Sequence, residues 1–161
     1  MMDKLLLQQQ VLERLAEDLQ QAEQAARAAH ETATHTENIA ENKYDTLGLE
    51  AAYLATGQAR RADAIRQAIA HWRKFRPHPY NARQGIQLGA LVCLVDADDR
   101  QQQLFLGPDG GNMKLSTGAA HIQVISSQAP LGEALLGKCG GDEVVIQIAR
   151  NRQQFEVLRV F

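Results

Sequence analysis

The stretch Glu41-Asn42-Lys43-Tyr44-Asp45-Thr46-Leu47-Gly48 separates two long helical segments and decides the fold of the N-terminal half. A proline-free segment rich in Ala, Gln and Glu begins at about Leu5 and leads into it. A second helical segment follows, from about Leu49 to Phe75. Gly48 can adopt a positive φ without steric cost, so we expect it in the turn. The pattern therefore predicts two antiparallel helices joined by a short acidic tip near residues 41–48.

The apolar residues of both segments recur at helical spacing, which indicates one buried face on each helix. In the first segment they are Leu5, Leu12, Leu15, Leu19, Ala22, Ala26 and Ala29. In the second segment they are Leu54, Ile65, Ala68, Ile69 and Trp72. Gly57 costs about 1 kcal/mol of helix propensity, but it would let the two helices approach closely. We therefore expect a narrow coiled-coil hairpin with Trp72 packed at its base.

Composition and charge limit the class of protein. The 161 residues carry a net charge of -2, which argues against binding nucleic acid by charge alone. Cys93 and Cys139 lack the spacing of metal ligands and are expected to be reduced. No apolar run approaches the roughly 20 residues that cross a bilayer, and the N-terminal apolar patch is too short for a signal peptide. We expect a cytoplasmic protein with no metal or cofactor of its own.

The pattern changes at Arg76-Pro77-His78-Pro79, where proline ends the helix. Alternating apolar residues and turn signals then predict strands, together with one short helix closed by Gly137. The expected strands are residues 86–94, 103–106, 121–125, 142–148 and 155–160, and the expected helix is residues 130–136. The predicted fold is α+β. It has a hairpin at residues 1–76, a linker at 77–84 and a small, mostly antiparallel β domain at 85–161.

The C-terminal half carries the most specific motif of the chain. It is Ser127-Gln128-Ala129-Pro130-Leu131-Gly132-Glu133-Ala134-Leu135-Leu136-Gly137-Lys138, followed by Gly141-Asp142-Glu143-Val144. This string is similar to a segment of the bacterial Gre transcription elongation factors, in which a Ser-Pro pair precedes "ALIGK" and then "GDEV". The Gly89-Ala90 pair and the Glu41-Asn42 dipeptide also resemble the family. The resemblance covers the whole chain and is strongest near the C-terminus.

The resemblance implies an FKBP-like fold for the β domain and a bacterial RNA polymerase elongation complex as the partner. In that family the β domain grips the rim of the polymerase secondary channel, and the hairpin reaches toward the catalytic centre. Carboxylates at the tip there share Mg²⁺ with polymerase, whose own site cleaves a backtracked transcript. The resemblance therefore implies a regulator that is not an enzyme by itself, with nascent RNA as a further contact.

The tip is the expected site of chemistry. Glu41 and Asp45 are the candidate acids, and their four-residue spacing would place them on one face if the turn stays helical. The family's tip has an Asp, two residues and then Glu-Asn. Matching by the Glu-Asn pair puts Asn38 at the first acidic position, whereas matching by distance to the β domain puts Glu41 there and Tyr44-Asp45 near the second. The other candidate contact residues are Asn42, Tyr44, Arg60, Arg61, Ser127, Pro130, Leu131 and Leu135.

The basic residues of the second segment have two interpretations. Arg60 and Arg61 would either contact polymerase or its transcript, since arginine suits phosphate, or form part of a solvated face. In the second interpretation the basic face pairs with the acids Glu13, Glu17 and Asp18 of the first segment.

Three other functions stay open. The tip could occupy the channel without stimulating cleavage. The β domain could be a prolyl isomerase, which would need an aromatic pocket built from Phe105, Phe155 and Phe161. The hairpin could be an adaptor that docks helices of other proteins. We expect a monomer, because a sealed hairpin leaves no open apolar stripe.

Overall fold

The computed structural model describes residues 3–39, 47–109 and 112–161. Contacts between Cα atoms divide the chain into two compact units. The sheet unit contains the residues up to Leu12 together with His71–Phe161, and the helical unit is Glu13–Ala70. The domain bounds at residues 76 and 85 stay a prediction, since this division groups the bases of both helices with the sheet.

Two helices form the N-terminal half, α1 (Lys4–Ile39) and α2 (Leu47–Lys74), as the sequence predicts. Small side chains dominate the buried positions of the helical unit. These positions are Leu15, Ala22, Ala29 and Ala33 on α1 and Ala51, Ala62, Ala68 and Ile69 on α2. The seven-residue steps from Leu15 to Ala22 and Ala29 match the repeat of a coiled-coil seam. The narrow helical hairpin expected from the sequence is therefore confirmed.

Two glycine predictions for the helices are wrong. Gly48 is buried and lies within α2, because that helix already begins at Leu47. Its φ is not among the positive values of the described glycines. A Cβ added at Gly57 would meet nothing within 4 Å, so Gly57 faces open space and does not serve a close helix contact.

Two leucines expected in the apolar stripes are exposed. Leu5 is 62% exposed and Leu54 is 57% exposed. Leu7 and Val11 are fully buried instead. The start of α1 belongs to the sheet unit, so packing within that unit decides which of its residues are buried. The heptad pattern beginning at Leu5 reflects only packing between the two helices and does not predict this.

An aromatic cluster holds the base of α2 in the sheet unit. Trp72 is fully buried, with its ring centroid 5.5 Å from that of Phe75 and 5.9 Å from that of Phe105. The indole N–H donates to the Asp109 carbonyl at 2.6 Å. The side-chain amide of Gln8 donates to the carbonyls of Trp72 and Phe75 at 2.6 and 2.8 Å. Acceptors near the end of α2, which lack helical partners there, are thereby satisfied.

The C-terminal half forms one six-stranded sheet and one short helix. Its elements are β1 (Leu91–Asp96), β2 (Gln101–Gly107), β3 (Lys114–Thr117), β4 (Ala120–Ser126), α3 (Pro130–Leu135), β5 (Glu143–Ile148) and β6 (Asn151–Val160). The strand order is β3-β4-β2-β1-β6-β5. All neighbours are antiparallel except β2 and β4, which are parallel. The mostly antiparallel domain expected from the sequence is confirmed, and its one parallel pair arises because the β3–β4 hairpin returns to the sheet with β4 beside β2.

Three strand predictions also need correction. β1 begins at Leu91 rather than near Ile86, because positive φ at Gly89 turns the chain between them. β3 is absent from the prediction. β6 begins at Asn151 rather than at Phe155, so the turn between β5 and β6 is confined to Ala149 and Arg150.

The main core lies on the face of the sheet that α3 covers. It contains Ile86, Ala90, Val92, Leu94, Leu104, Leu106, Ile125, Leu135, Val144, Ile146, Phe155 and Val157. Leu131 of α3 packs against the same cluster. Phe105 alternates with Leu104 and Leu106 along β2, so its ring lies on the opposite face with Trp72.

Candidate functional site

The predicted tip residues Glu41, Asn42, Tyr44 and Asp45 lie outside the described residues. Helices α1 and α2 lead into and out of residues 40–46. The roles of these four side chains therefore stay predictions.

The described part of α2 carries exposed basic residues. Arg60 and Arg61 are both exposed, and neither forms an ion pair or a hydrogen bond with another described residue. Arg66 behaves differently, since it contacts Glu23 at 3.0 Å and Asp63 at 2.5 Å. The hydrogen bond that Arg66 donates to the Glu23 carboxylate raises the pKa of Arg66 above its ordinary value. This pairing uses Glu23 rather than the acids expected from the sequence, and it leaves two guanidinium groups open to a partner.

An exposed apolar patch lies on the same helix, nearer its start. It consists of Leu49, Tyr53 and Leu54, which are 53%, 70% and 57% exposed. The sequence interpretation placed Leu54 in the buried seam and missed the other two. The four-residue step from Leu49 to Tyr53 is a usable signal, since it puts both on one side of the helix. The helical unit therefore offers apolar and cationic surface along α2.

The predicted contact residues of the β domain are divided by burial. Pro130 is exposed at the start of α3, and Ser127 and Leu131 are half-buried. Leu135 is fully buried in the core, so in this fold it cannot contact a partner. The neighbouring Leu136 is 39% exposed. The short helix turns Leu135 toward the sheet and leaves Leu136 accessible, and a contact role for this end of α3 stays a prediction.

Local geometry holds α3 close to the end of β4. Pro130 is the first helical residue, where its missing N–H costs nothing. A Cβ at Gly132 would lie 2.1 Å from the Ser126 carbonyl oxygen, so only glycine fits there. Gly137 ends the segment with φ +81°, as predicted. Its N–H donates to the Ile86 carbonyl at 2.8 Å, which ties the helix end to the start of the domain.

An open groove of about 470 Å³ extends beside Leu131 on the α3 face. Its walls include Asp96, Asp98, Arg152 and the buried ring of Phe155. The Asp96 carboxylate accepts backbone N–H bonds from Asp98 at 2.8 Å and Arg100 at 2.9 Å, which holds the β1–β2 turn. Because these residues come from separate strands, sequence spacing gave no signal for the groove. Its mixed charges suit a polar polypeptide surface.

The aromatic residues named for a prolyl isomerase do not share one pocket. Phe105 is fully buried beside Trp72, whereas Phe155 belongs to the core on the opposite face of the sheet. Phe161 is 39% exposed at the end of the chain. Phe105 and Phe155 therefore cannot line the same cavity.

Two other features, a metal site and a membrane-spanning helix, are absent from residues 3–39, 47–109 and 112–161. There, no group of three His, Cys, Asp or Glu side chains is placed to hold a metal ion. Across the same ranges, no helix is both long and apolar enough to cross a membrane.

Comparison with known proteins gives one family. The sequence profile described as "Transcription elongation factor, GreA/GreB, C-term" matches residues 81–161. The transcription elongation factor GreA of Maridesulfovibrio salexigens is 34% identical over 77 residues, which cover 47% of this chain and 44% of that protein. GreA of Alkalilimnicola ehrlichii is 26% identical over 102 residues, covering 62% of this chain and 60% of that protein.

The match to GreA proteins is therefore partial, and the aligned part spans less than half the length of the first of these relatives. Among solved structures, the GreA factor homolog 1 of Thermus thermophilus is 23% identical. The alignment covers 93% of this chain and 94% of that one, with a TM-score of 0.39. The profile alone extends over half of the present sequence, including α3, Gly137 and the β5–β6 hairpin. On this ground, the chain belongs to the GreA/GreB family of transcription elongation factors.

Proposed function

We propose that this protein binds bacterial RNA polymerase through its secondary channel and that the tip at residues 40–46 reaches the active centre. The observation that carries the proposal is the family match over residues 81–161. The helical hairpin of α1 and α2 is a second support, because the resemblance to the Gre family implies such a hairpin. The factor would regulate polymerase and would catalyse nothing alone.

The helical unit has the dimensions and surface for such a role. At 1.5 Å per residue, the 28 residues of α2 extend about 42 Å. Arg60 and Arg61 are unpaired cations on this helix within the described chain, and Tyr53 is 70% exposed. We assign Arg60 and Arg61 to polymerase acids or to the phosphates of nascent RNA.

Glu41 and Asp45 are the residues that would act at the catalytic centre. Carboxylate oxygens are the ligands that Mg²⁺ prefers, so the donor chemistry of these residues fits an ion shared with polymerase. Such an ion supplies activation of water and stabilisation of the leaving oxygen in phosphodiester cleavage. Asn42 and Tyr44 would orient the tip against polymerase or transcript.

The β domain would supply the grip on the channel rim. Ser127, Pro130, Leu131 and Leu136 are each at least partly accessible in or beside α3. Leu131 also borders the groove with Asp96, so apolar and charged contacts are available together. Interfaces combine apolar anchors with a polar rim in this way.

Transcript cleavage in a backtracked elongation complex tests this proposal. The intact chain is compared with Glu41→Ala plus Asp45→Ala, in the presence of Mg²⁺. Glu17→Ala plus Glu31→Ala is the matched control, since it removes two exposed acids from α1. We expect shortened transcripts with the intact chain and the control, and none with the tip variant.

Polymerase binding is measured in the same samples, so that two forms of the proposal can be separated. Binding without cleavage by the intact chain would indicate a regulator that occupies the channel. Absence of binding would contradict the proposal and leave the helical adaptor.

A further inference from the structure

The two edges of the sheet are built differently. The β3 edge is only four residues long and begins with Lys114. The β5 edge has six residues, with neither lysine nor proline, and its Val145 is 44% exposed. Short strands, proline and charged side chains, lysine above all, are the usual protections of a sheet edge against pairing with another strand. β5 is not short, and Glu143 at its start is its one charged residue.

The backbone of β5 is ready to accept another strand. The Val157 N–H donates to the Asp142 carbonyl at 2.8 Å, which fixes the bonding phase of the β5–β6 pair. Because bonded and non-bonded pairs alternate along antiparallel strands, the even-numbered residues of β5 bond to β6. Glu143, Val145 and Gln147 then direct their N–H and C=O groups to the open edge. β5 ends the strand order of the sheet in the part of the chain described here.

The exposed face of this edge has an uneven charge distribution. Its cross-strand pairs are Glu143–Glu156, Val145–Gln154 and Gln147–Arg152. Two carboxylates directly opposite each other destabilise a strand pair. The acidic end therefore lacks a cation, whereas the other end carries a guanidinium.

We propose that β5 pairs with β5 of a second copy of this chain, antiparallel and centred on Val145. This register places Val145 opposite its own counterpart and Glu143 opposite Gln147 of the second copy. It also keeps the buried face continuous, because odd residues meet odd residues and even residues meet even residues.

The same register corrects the charge imbalance. A row across the joined sheets contains Glu156 and Glu143, then Gln147 and Arg152 of the second copy. Strands lie about 4.8 Å apart, so Glu143 and that arginine are about 10 Å apart at the backbone, within reach of two long side chains. Two-fold symmetry repeats the arrangement at the other end, as an isologous interface requires.

The pair would be weak and would form as concentration rises. One strand pair buries less than the roughly 800 Å² per partner of a standard stable interface. This proposal departs from the monomer expected from the sequence, which was argued from the hairpin alone, and β5 lies outside the helical unit. The self-pairing is independent of polymerase binding.

A disulfide trap tests the register directly. In a Cys139→Ser background, Val145→Cys would place two thiols across the two-fold axis, where bonded strand pairs have Cα atoms about 5.5 Å apart. Gln154→Cys is the matched control on the same exposed face. Its two copies would be three strands apart, about 14 Å, beyond the roughly 7 Å limit for a disulfide. Under mild oxidation we expect covalent dimers from Val145→Cys alone, and equal or absent crosslinking in the two variants would overturn the proposal.

Charge exchange at the centre provides a second test that does not require oxidation. Val145→Lys and Val145→Glu should each lose the dimer in sedimentation velocity, because like charges meet across the axis. An equimolar mixture should restore a species with the mass of two chains. Circular dichroism of each variant confirms that it is folded. A dimer that survives both single variants would belong to another surface and would contradict β5 pairing.

Discussion

The sheet unit and the helical unit are stabilised on different scales. The sheet unit buries large side chains, such as Leu94, Leu104 and Phe105, whereas the helical unit buries mainly alanines, such as Ala22 and Ala62. Since apolar stabilisation follows buried area, most of it falls on the sheet unit. The tip acids and the exposed arginines proposed to act on polymerase belong to the helical unit. Substitutions that lower stability most are therefore expected in the sheet unit, and those that affect function most in the helical unit.

The largest effect is expected from the sheet core. Phe105→Ala should lower the free energy of unfolding by about 3–5 kcal/mol, because it removes a fully buried ring that contacts Trp72. Urea unfolding followed by fluorescence of the single tryptophan measures this loss. If the free energy of unfolding fell no more than for a surface substitution, the claim that the sheet unit supplies most of the apolar stabilisation would be contradicted.

The next largest effect is expected where α3 packs closely against the end of β4. Gly132→Ala should destabilise the protein by about 1–3 kcal/mol, since the added Cβ would lie 2.1 Å from the Ser126 carbonyl oxygen. Gly57→Ala is the control, because a Cβ added there would meet nothing within 4 Å. In urea unfolding curves, the midpoint should fall for Gly132→Ala and rise for Gly57→Ala.

A smaller effect is expected in the helical seam. Ala22→Gly should cost about 1–2 kcal/mol through lost helix propensity and one lost methyl group. The loss should be seen chiefly in the helical signal at 222 nm, with little change in tryptophan fluorescence, because Trp72 lies in the sheet unit. Equal shifts of both signals would mean that the two units unfold as one.

Gly57→Ala should raise stability by about 0.5–1 kcal/mol, because the site is helical and open. Thermal unfolding monitored at 222 nm measures the gain. A loss instead would indicate that this helical position is packed, contrary to the exposed surface described for α2.

The smallest effect is a pH dependence within the sheet. Burial raises the pKa of the Cys93 thiol above its ordinary value, with Arg159 opposing the shift. The stabilisation is fully present below the ordinary thiol pKa of about 8.5 and is lost as pH rises through the folded value. Melting temperatures of the intact chain should fall above that pH more than those of Cys93→Val.

Local chemistry determined which elements were predictable. Pro130 and Gly137 gave the bounds of α3 to within a residue, because proline at a helix start and glycine at its end act within their own segment. The seven-residue repeat likewise gave the helices. β3 was missed because Lys114–Thr117 is too short to show alternation and depends on β4 for its pairing.

Errors arose where distant contacts decide burial. Ile86 is buried because its backbone bonds to Gly137 and Lys138, far along the chain, and not because it continues β1. Leu135 and Leu136 are neighbours of equal hydrophobicity, and only the position of the sheet decides which is exposed. The groove beside Leu131 was unpredictable for the same reason.

Site-specific photo-crosslinking tests the central claim, that the tip reaches the polymerase active centre. Tyr44 is replaced by a photoreactive phenylalanine, with the same replacement at exposed Gln20 of α1 as the control. We predict a crosslink from position 44 to the catalytic subunit near its active-site metal ligands, lost when excess intact chain is added and absent from position 20. Crosslinks from position 20 alone, or from neither position to that region, would contradict the account.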